Sequence, residues 1–339
     1  MKIFFRICVL AICIFGLSFK STFAAEEIIE ATGRYVMDLK VDETLAQGTA
    51  RAREEAKRAA TDKAGVYLQS YSKMINLELE YDEVQTVAAS LLKIQDEKIS
   101  SKSLDDGLLE VSVTIKALVE TNNEETLKAI MADKQRVSDA TERYKKLQEE
   151  YDALKAQMEQ LKKDYKSAND SKKTEIKQSI AQNNKYFEAF LALEEGNNAY
   201  FNTNYQQAIS NYNRAININP NFAEAYNNRG NANVMMKNYQ QAAQDYQTAI
   251  KFSRVDARIH SNLGAVYYIM KDYNSAVQEY TNAINLNPNL ATAYVNRAYA
   301  YYYLQQLKNS LDDVKFALKL NPANNDAQKL YNYLIKKVQ

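Results

Sequence analysis

The strongest constraint on this 339-residue chain is a spacing. Its three prolines, Pro220, Pro288 and Pro322, each follow an asparagine and stand 68 and 34 residues apart. The slot between the first two, at 254, holds Arg254. Other residues keep the same step. Gly196, Gly230 and Gly264 recur, with Ala298 in the fourth slot. Tyr205, Tyr239 and Tyr273 are followed by Leu307, and Ala208, Ala242 and Ala276 by Ser310. Tyr212, Tyr246 and Tyr280 are followed by Val314, and Ala215, Ala249, Ala283 and Ala317 complete the set. A chain self-similar at this period is one supersecondary unit stacked on its own copies. One unit alone cannot bury its apolar face, so the fold must be a solenoid in which neighbours complete each other's core.

The period and its Gly, Tyr, Ala and Asn-Pro positions resemble the tetratricopeptide repeat, a helix–turn–helix unit of this length. The resemblance implies repeats at 189–222, 223–256, 257–290 and 291–324, with 325–339 as a capping half-repeat. There Leu330, Tyr333 and Leu334 are expected to cover the last apolar face, and Lys336 and Lys337 suit a helix C-terminus. Phe252, Ser253, Arg254 and Val255 replace the Asn-Pro turn of repeat two, so the angle between repeats two and three is expected to differ. The expected fold class is mainly α: a tetratricopeptide α-solenoid of four repeats plus a capping helix over 189–339. A coiled-coil segment over 126–188 and a small α+β domain over 26–125 precede it.

The first residues have another character. Lys2 and Arg6 precede an apolar stretch from Ile7 to Leu17, too short to span a bilayer. Thr22 and Ala24 then stand at the −3 and −1 positions of a cleavage site, so residues 1–24 read as a secretory signal peptide. Both cysteines, Cys8 and Cys13, lie inside it. The mature chain is therefore expected to have no disulfide, thiolate metal site or cysteine nucleophile. Removing residues 1–24 takes out Lys2, Arg6 and Lys20 and no acid, moving the formal charge from +1 to −2. That balance leaves no electrostatic footprint for nucleic acid. The expected location is the periplasm, with secretion to the medium as the alternative and no stable membrane insertion after cleavage.

Behind the signal, Ala31–Val41 alternates as a strand, and 42–72 reads as a long helix with Ala46, Ala50, Ala52, Ala56, Ala59, Ala60 and Ala64. Between them stand Arg51, Arg53, Glu54, Glu55, Lys57 and Arg58, expected on a solvated face while the alanines lie on a sheet. Met74–Glu80 reads as a second strand. Asp82, with Gln85 three residues on, is the expected cap of a helix over 83–92. Ile94–Lys102 and Leu108–Val119 read as a hairpin around Asp105, Asp106 and Gly107. The segments Ala31-Thr32-Gly33-Arg34-Tyr35-Val36, 56–71 and 82–90 resemble the N-terminal domain of the flagellar H-ring protein T and related bacterial envelope lipoproteins. That resemblance implies an exported domain built for assembly, with no active site to transfer.

Between head and repeats, Val137, Ala140, Tyr144, Leu147, Tyr151, Leu154, Met158, Leu161, Tyr165 and Ala168 alternate at spacings of three and four. The helix they imply is about 48 Å long. It either pairs with copies of itself or folds back on 174–190. The second stretch looks too short to cover the first, which favours self-association and a homo-oligomer.

Candidate binding residues follow from the repeat register. Position 6 of the repeats gives Asn228, Asn262 and Asn296, a column of carboxamides able to donate to and accept from an extended peptide backbone. It resembles the asparagine ladder in the solenoid of the O-linked N-acetylglucosamine transferases. Asn197, Asn228 and Arg258 match positions of the carboxylate clamp in chaperone-binding tetratricopeptide domains, and Asn231 lies beside them. Leu193 and Asn262 stand where that clamp needs basic residues, so capture of a C-terminal carboxylate is not expected. Tyr200, Phe201, Tyr268, Tyr299, Tyr302 and Tyr303 supply aromatic contact area around the ladder, whereas Tyr226, Tyr267, Tyr294 and Tyr301 are expected between repeats.

Catalytic patterns are sparse. The single histidine, His260, falls in a packing slot of its repeat, and no phosphate loop or nucleophile elbow occurs. Carboxylate pairs such as Asp312 and Asp313 read as solvated. No cofactor, metal or enzymatic activity is expected. The expected function is an exported scaffold that binds other proteins or extended peptide segments on the concave face of the solenoid. The alternative is a structural subunit of a cell-envelope assembly, of flagellar or secretion type, that contacts its partners through the head.

Overall fold

The computed structural model describes residues 28–74, 79–104, 107–119, 134–253 and 255–338. The signal segment with both cysteines, most of the strand expected over 74–80, Asp105 and Asp106 of the hairpin turn, the start of the coiled-coil segment and Arg254 lie outside them.

In the head, β1 (Ile28–Asp38), α1 (Leu45–Met74), α2 (Tyr81–Leu91), β2 (Leu92–Ser103) and β3 (Leu108–Val119) follow in order. The sheet order is β1-β3-β2, antiparallel throughout. Central β3 buries Val111, Val113, Ile115 and Ala117 against α1, as its alternation requires. Helix α1 meets the sheet along Ala52, Ala56, Ala60 and Ala64, one per turn and all fully buried. Methyl side chains let helix and strand backbones close together, and Gly33 completes the approach. A Cβ there would run into the Ala52 carbonyl oxygen and the Ala56 nitrogen. The cap of α2 is Glu80, with Glu83 reaching back to it, rather than Asp82 with Gln85. The helix starts earlier than expected, which places Asp82 in the first turn, where its charge still favours the N-terminus. Gln85 is buried, its amide packed against Gly65.

Helices α3 (Lys134–Ser167) and α4 (Asp170–Phe201) form an antiparallel hairpin in one chain. Asn169 caps α4, accepting from the Lys172 N–H at 3.1 Å. The apolar stripe expected to pair with copies of itself is covered from within. Tyr151 lies 5.9 and 5.7 Å from the rings of Phe187 and Phe190, and Met158 packs with Ile180. The length argument for self-pairing fails because the second stretch does not stop at 190. It runs without a break through the first helix of repeat one, so 32 residues face 34. The boundary expected at 188/189 therefore falls inside a helix.

The same hairpin covers the charged face of α1, which is not solvated as expected. Arg51 is 2% exposed and donates to Asn183 and Asn184 Oδ1, each at 2.9 Å. Glu55 accepts from Tyr151 at 2.7 Å and from Lys155 at 2.6 Å. Arg51 and Glu54 are buried and Glu55, Lys57 and Arg58 partly so because α3 and α4 offer complementary polar groups, while Arg53 pairs with Glu97 of β2.

The solenoid continues with α5 (Tyr205–Ile218), α6 (Ala223–Met235), α7 (Tyr239–Phe252), α8 (Ala257–Ile269), α9 (Tyr273–Leu286), α10 (Ala291–Tyr303), α11 (Leu307–Leu320) and α12 (Asn325–Val338). Its period has a steric cause. A Cβ on Gly230 would lie 2.7 Å from Tyr246 Cε1, and one on Gly264 2.9 Å from Tyr280 Cδ1. Each tyrosine ring fills the space its glycine leaves, and where Val314 replaces the tyrosine, Ala298 replaces the glycine. The Asn-Pro turns have a cause as well. Asn219, Asn287 and Asn321 each accept, across the proline, the N–H two residues on. In repeat two Asp256 takes over, capping α8 through the Arg258 N–H at 3.0 Å. At the end, α12 buries Leu330 and Leu334, while Tyr333 stays largely exposed and faces Tyr302 instead of covering the core.

Candidate functional site

The first helices of repeats two to four, α6, α8 and α10, line the inner face of the solenoid. They bound a cleft of about 430 Å³. Six of the residues singled out from sequence converge on it: Tyr200, Asn228, Asn231, Arg258, Asn262 and Asn296. Asn227, Ser261 and Thr292, which the repeat register did not single out, line it too.

The carboxamides form a connected floor. Asn228 Nδ2 donates to Asn197 Oδ1 at 2.9 Å, and Asn227 Nδ2 donates to Asn228 Oδ1 at 3.0 Å. Asn262 Nδ2 lies 3.3 Å from both Asn227 Oδ1 and Asn231 Oδ1. Two packing tyrosines anchor the floor from below: Tyr212 donates to Asn197 and Tyr246 to Asn231, at 2.9 and 2.7 Å. At 1% exposure, Asn228 turns its amide to neighbours, not to the lumen. Asn197 lies beneath the cleft, beside a small pocket against the head. Asn296 is the open member of the column, half-buried and without a side-chain hydrogen bond among the described residues.

One wall comes from outside the repeats. Helix α3 crosses the N-terminal end of the cleft, where Glu142 pairs with Arg258 at 2.9 Å and Lys146 with Glu224 and Asp256 at 3.0 and 3.4 Å. Arg143 stacks 5.0 Å over Tyr200. No sequence signal marks this wall, because these charges look like any solvated helix face. Burial alone would raise the Asp256 carboxyl, but hydrogen bonds and charge from Arg258, with Lys146, hold it below the usual carboxylate range. Arg258 is held by Asp256 at 2.8 Å as well as by Glu142. Its charge is thus paired within the fold.

Beyond Asn296 the inner face becomes aromatic. Tyr268, Tyr280 and Tyr299 line a second cleft of about 360 Å³ with Asn296 and Asp326. Tyr303 stacks on Tyr273 at 4.9 Å and meets Tyr268 edge-on at 5.7 Å, while Tyr302 meets Tyr333 at 5.6 Å. Burial, then the neighbouring Tyr303, pushes the Tyr268 hydroxyl well above the usual phenol range. Phe201 is not part of this face: it is buried in the head core with Val137 and Ala140. His260 is largely buried, its Nδ1 2.7 Å from Glu279 Oε2. Among the described residues no three His, Cys, Asp or Glu side chains gather as a metal set, and no helix is long and apolar enough to cross a membrane.

The TPR repeat family model matches residues 198–237 and 266–305, and the tetratricopeptide repeat model matches 223–254. The C-terminal part of the chain thus carries tetratricopeptide repeats. No curated protein matches the chain significantly. Among solved structures, it is similar to the Arabidopsis OM64 TPR domain, at 28% identity over 34% of this chain and 95% of that one, TM-score 0.34. It is also similar to the first TPR of Spaghetti (RPAP3), solved bound to an HSP90 peptide, at 22% identity over 34% and 92%, TM-score 0.34. A third is YrrB, described as a TPR protein with an unusual peptide-binding site, at 19% identity over 47% and 81%, TM-score 0.41.

Proposed function

We propose that this chain is an exported interaction scaffold whose repeats hold an extended segment of a partner protein along their inner face. The observation that carries the reading is the junction at Asn296. There a carboxamide floor and a tyrosine wall meet as two clefts sharing one open amide. Carboxamides match both the N–H and the C=O of an extended backbone. Tyrosines add rigid contact area at little entropic cost. The head and the α3–α4 hairpin brace the N-terminal end of this groove. Export rests on the signal pattern in residues 1–24, and N-terminal sequencing of the protein from an envelope fraction checks it. A first residue other than Ala25 would remove the expected cleavage site.

The groove is tested by crosslinked capture in the native envelope with Asn296→Ala and Tyr299→Ala. Loss of captured partners at an unchanged melting temperature supports the groove, and undiminished capture by the double variant rejects it. A second reading assigns the main contact to the head, as a subunit of an envelope assembly. Its support is the resemblance to the H-ring domain and the edge strand β2, which exposes Ile94 and Ile99. Under that reading Ile99→Lys, not the groove variants, removes the partners. Self-association through α3 is not part of either reading, because its stripe is covered within the chain.

A further inference from the structure

Two arginines of the repeats occupy seats built for a guanidinium within the fold. Arg229 lies 5.3 Å over the Tyr226 ring, pairs with Asp245 at 2.5 Å, and donates to Asn213 Oδ1 at 2.6 Å. Arg297 lies 5.6 and 5.7 Å from the Tyr294 and Tyr301 rings, pairs with Asp313 at 2.7 Å, and donates to Thr281 Oγ1 at 2.9 Å. Each seat consists of one or two tyrosine rings, one carboxylate and one further side-chain oxygen. Those are the parts that hold a planar, weakly hydrated cation.

The second cleft has the same parts and no cation of its own. Tyr268 and Tyr299 supply the rings, Asp326 the carboxylate, and Asn296 the amide oxygen. Among the described residues no arginine or lysine stacks on Tyr268, Tyr273, Tyr299 or Tyr303. Among the described residues Asp326 pairs only with Lys329, on the same helix at 3.5 Å, with side chains 71% and 77% exposed. Such a pair is weak and exchanges readily. We infer that this cleft receives an arginine side chain from the extended segment bound along the groove. The inference rests on the groove reading above and names what the C-terminal half of the groove selects. The guanidinium stacks on the tyrosines and turns its fork to Asp326, while the backbone of the segment passes Asn296. Lysine shares the charge but has neither the fork nor the plane, so it ranks second.

The test uses the full chain and a positional-scanning library of fluorescein-labelled extended peptides. Anisotropy then compares the best binder with its citrulline counterpart, which keeps the shape of arginine and loses its charge. Arginine is expected at one position, and citrulline there should weaken binding about tenfold. Asp326→Asn should weaken the arginine peptide about fivefold and leave the citrulline peptide unchanged. Asp326 is exposed, so this variant keeps the fold, and its melting temperature verifies that. Peptides that bind without preference for arginine over citrulline overturn the inference and leave the groove standing. If no peptide in the library binds, the groove reading falls and takes the inference with it.

Discussion

Asn228 is read from its register as a ligand contact, and its surroundings make it a floor. Its amide is spent on Asn197 and Asn227 at 1% exposure. Asn228→Ala should therefore cost about 1–3 kcal/mol in urea denaturation, since it leaves buried amide groups without partners. Asn296→Ala should change stability by less than about 0.5 kcal/mol while weakening peptide binding. A triple alanine variant of the column mixes the two effects, and its melting temperature should fall. The glycine–tyrosine key is also decided residue by residue. Gly230→Ala places a Cβ 2.7 Å from the Tyr246 ring and should cost about 1–3 kcal/mol by overpacking. The Gly230→Ala/Tyr246→Val double variant copies the Ala298 and Val314 pair of repeat four. In thermal unfolding it should be more stable than the sum of its two single variants, as expected of residues in contact. The positions of glycine, tyrosine and alanine were legible in the sequence, because size complementarity within one repeat leaves a fixed spacing. The bonding of the asparagines was not, because a carboxamide has the same letter whether it faces a neighbour or a ligand.

At the level of elements, the alanine face of α1 was readable and its opposite face was misleading. A run of arginine, lysine and glutamate looks solvated unless a second polar element is known to lie on it. Here Glu54 is 2% exposed beside Lys57 and Arg58. Burial first, then the nearby Glu194 charge, raises its carboxyl above the usual range, and Lys57 and Arg58 only partly offset this. A raised acid favours the neutral form in the fold. Its contribution to stability is thus complete below the ordinary carboxylate pKa and is lost as pH rises through the raised value. Glu54→Gln should flatten the pH dependence of stability between mildly acidic and neutral conditions and stabilise the neutral-pH protein, as urea midpoints across that range would show. An unchanged pH profile would mean that Glu54 ionises freely in the fold. The α3 stripe teaches a related lesson. Its period announced a helix needing a cover, but the cover was identified only when α4 proved to run from Asp170 to Phe201.

For the molecule as a whole, the head, hairpin and repeats share one structural axis, α4. Its N-terminal half packs on α3, and its C-terminal half is the first helix of repeat one. A fragment starting at residue 189 cuts this helix and removes Tyr151 and Phe187 from the ring of Phe190. It should be less stable than a fragment starting at residue 134 by about 3–5 kcal/mol, read from urea unfolding of the repeats. Equal stability would show that the solenoid closes its own end.

The sequence by itself determined the repeated unit, its register and the inner face on which Asn228, Asn262 and Asn296 align. Those follow from contacts within a repeat and between adjacent ones, and such contacts recur as a period. Only the tertiary structure decided that α3 walls the groove and that the charged face of α1 is buried. These pairings join residues about a hundred positions apart, as Glu55 with Tyr151 and Lys146 with Asp256. They occur once in the chain, so no period records them, and a charge reads alike whether water or a carboxylate stands opposite.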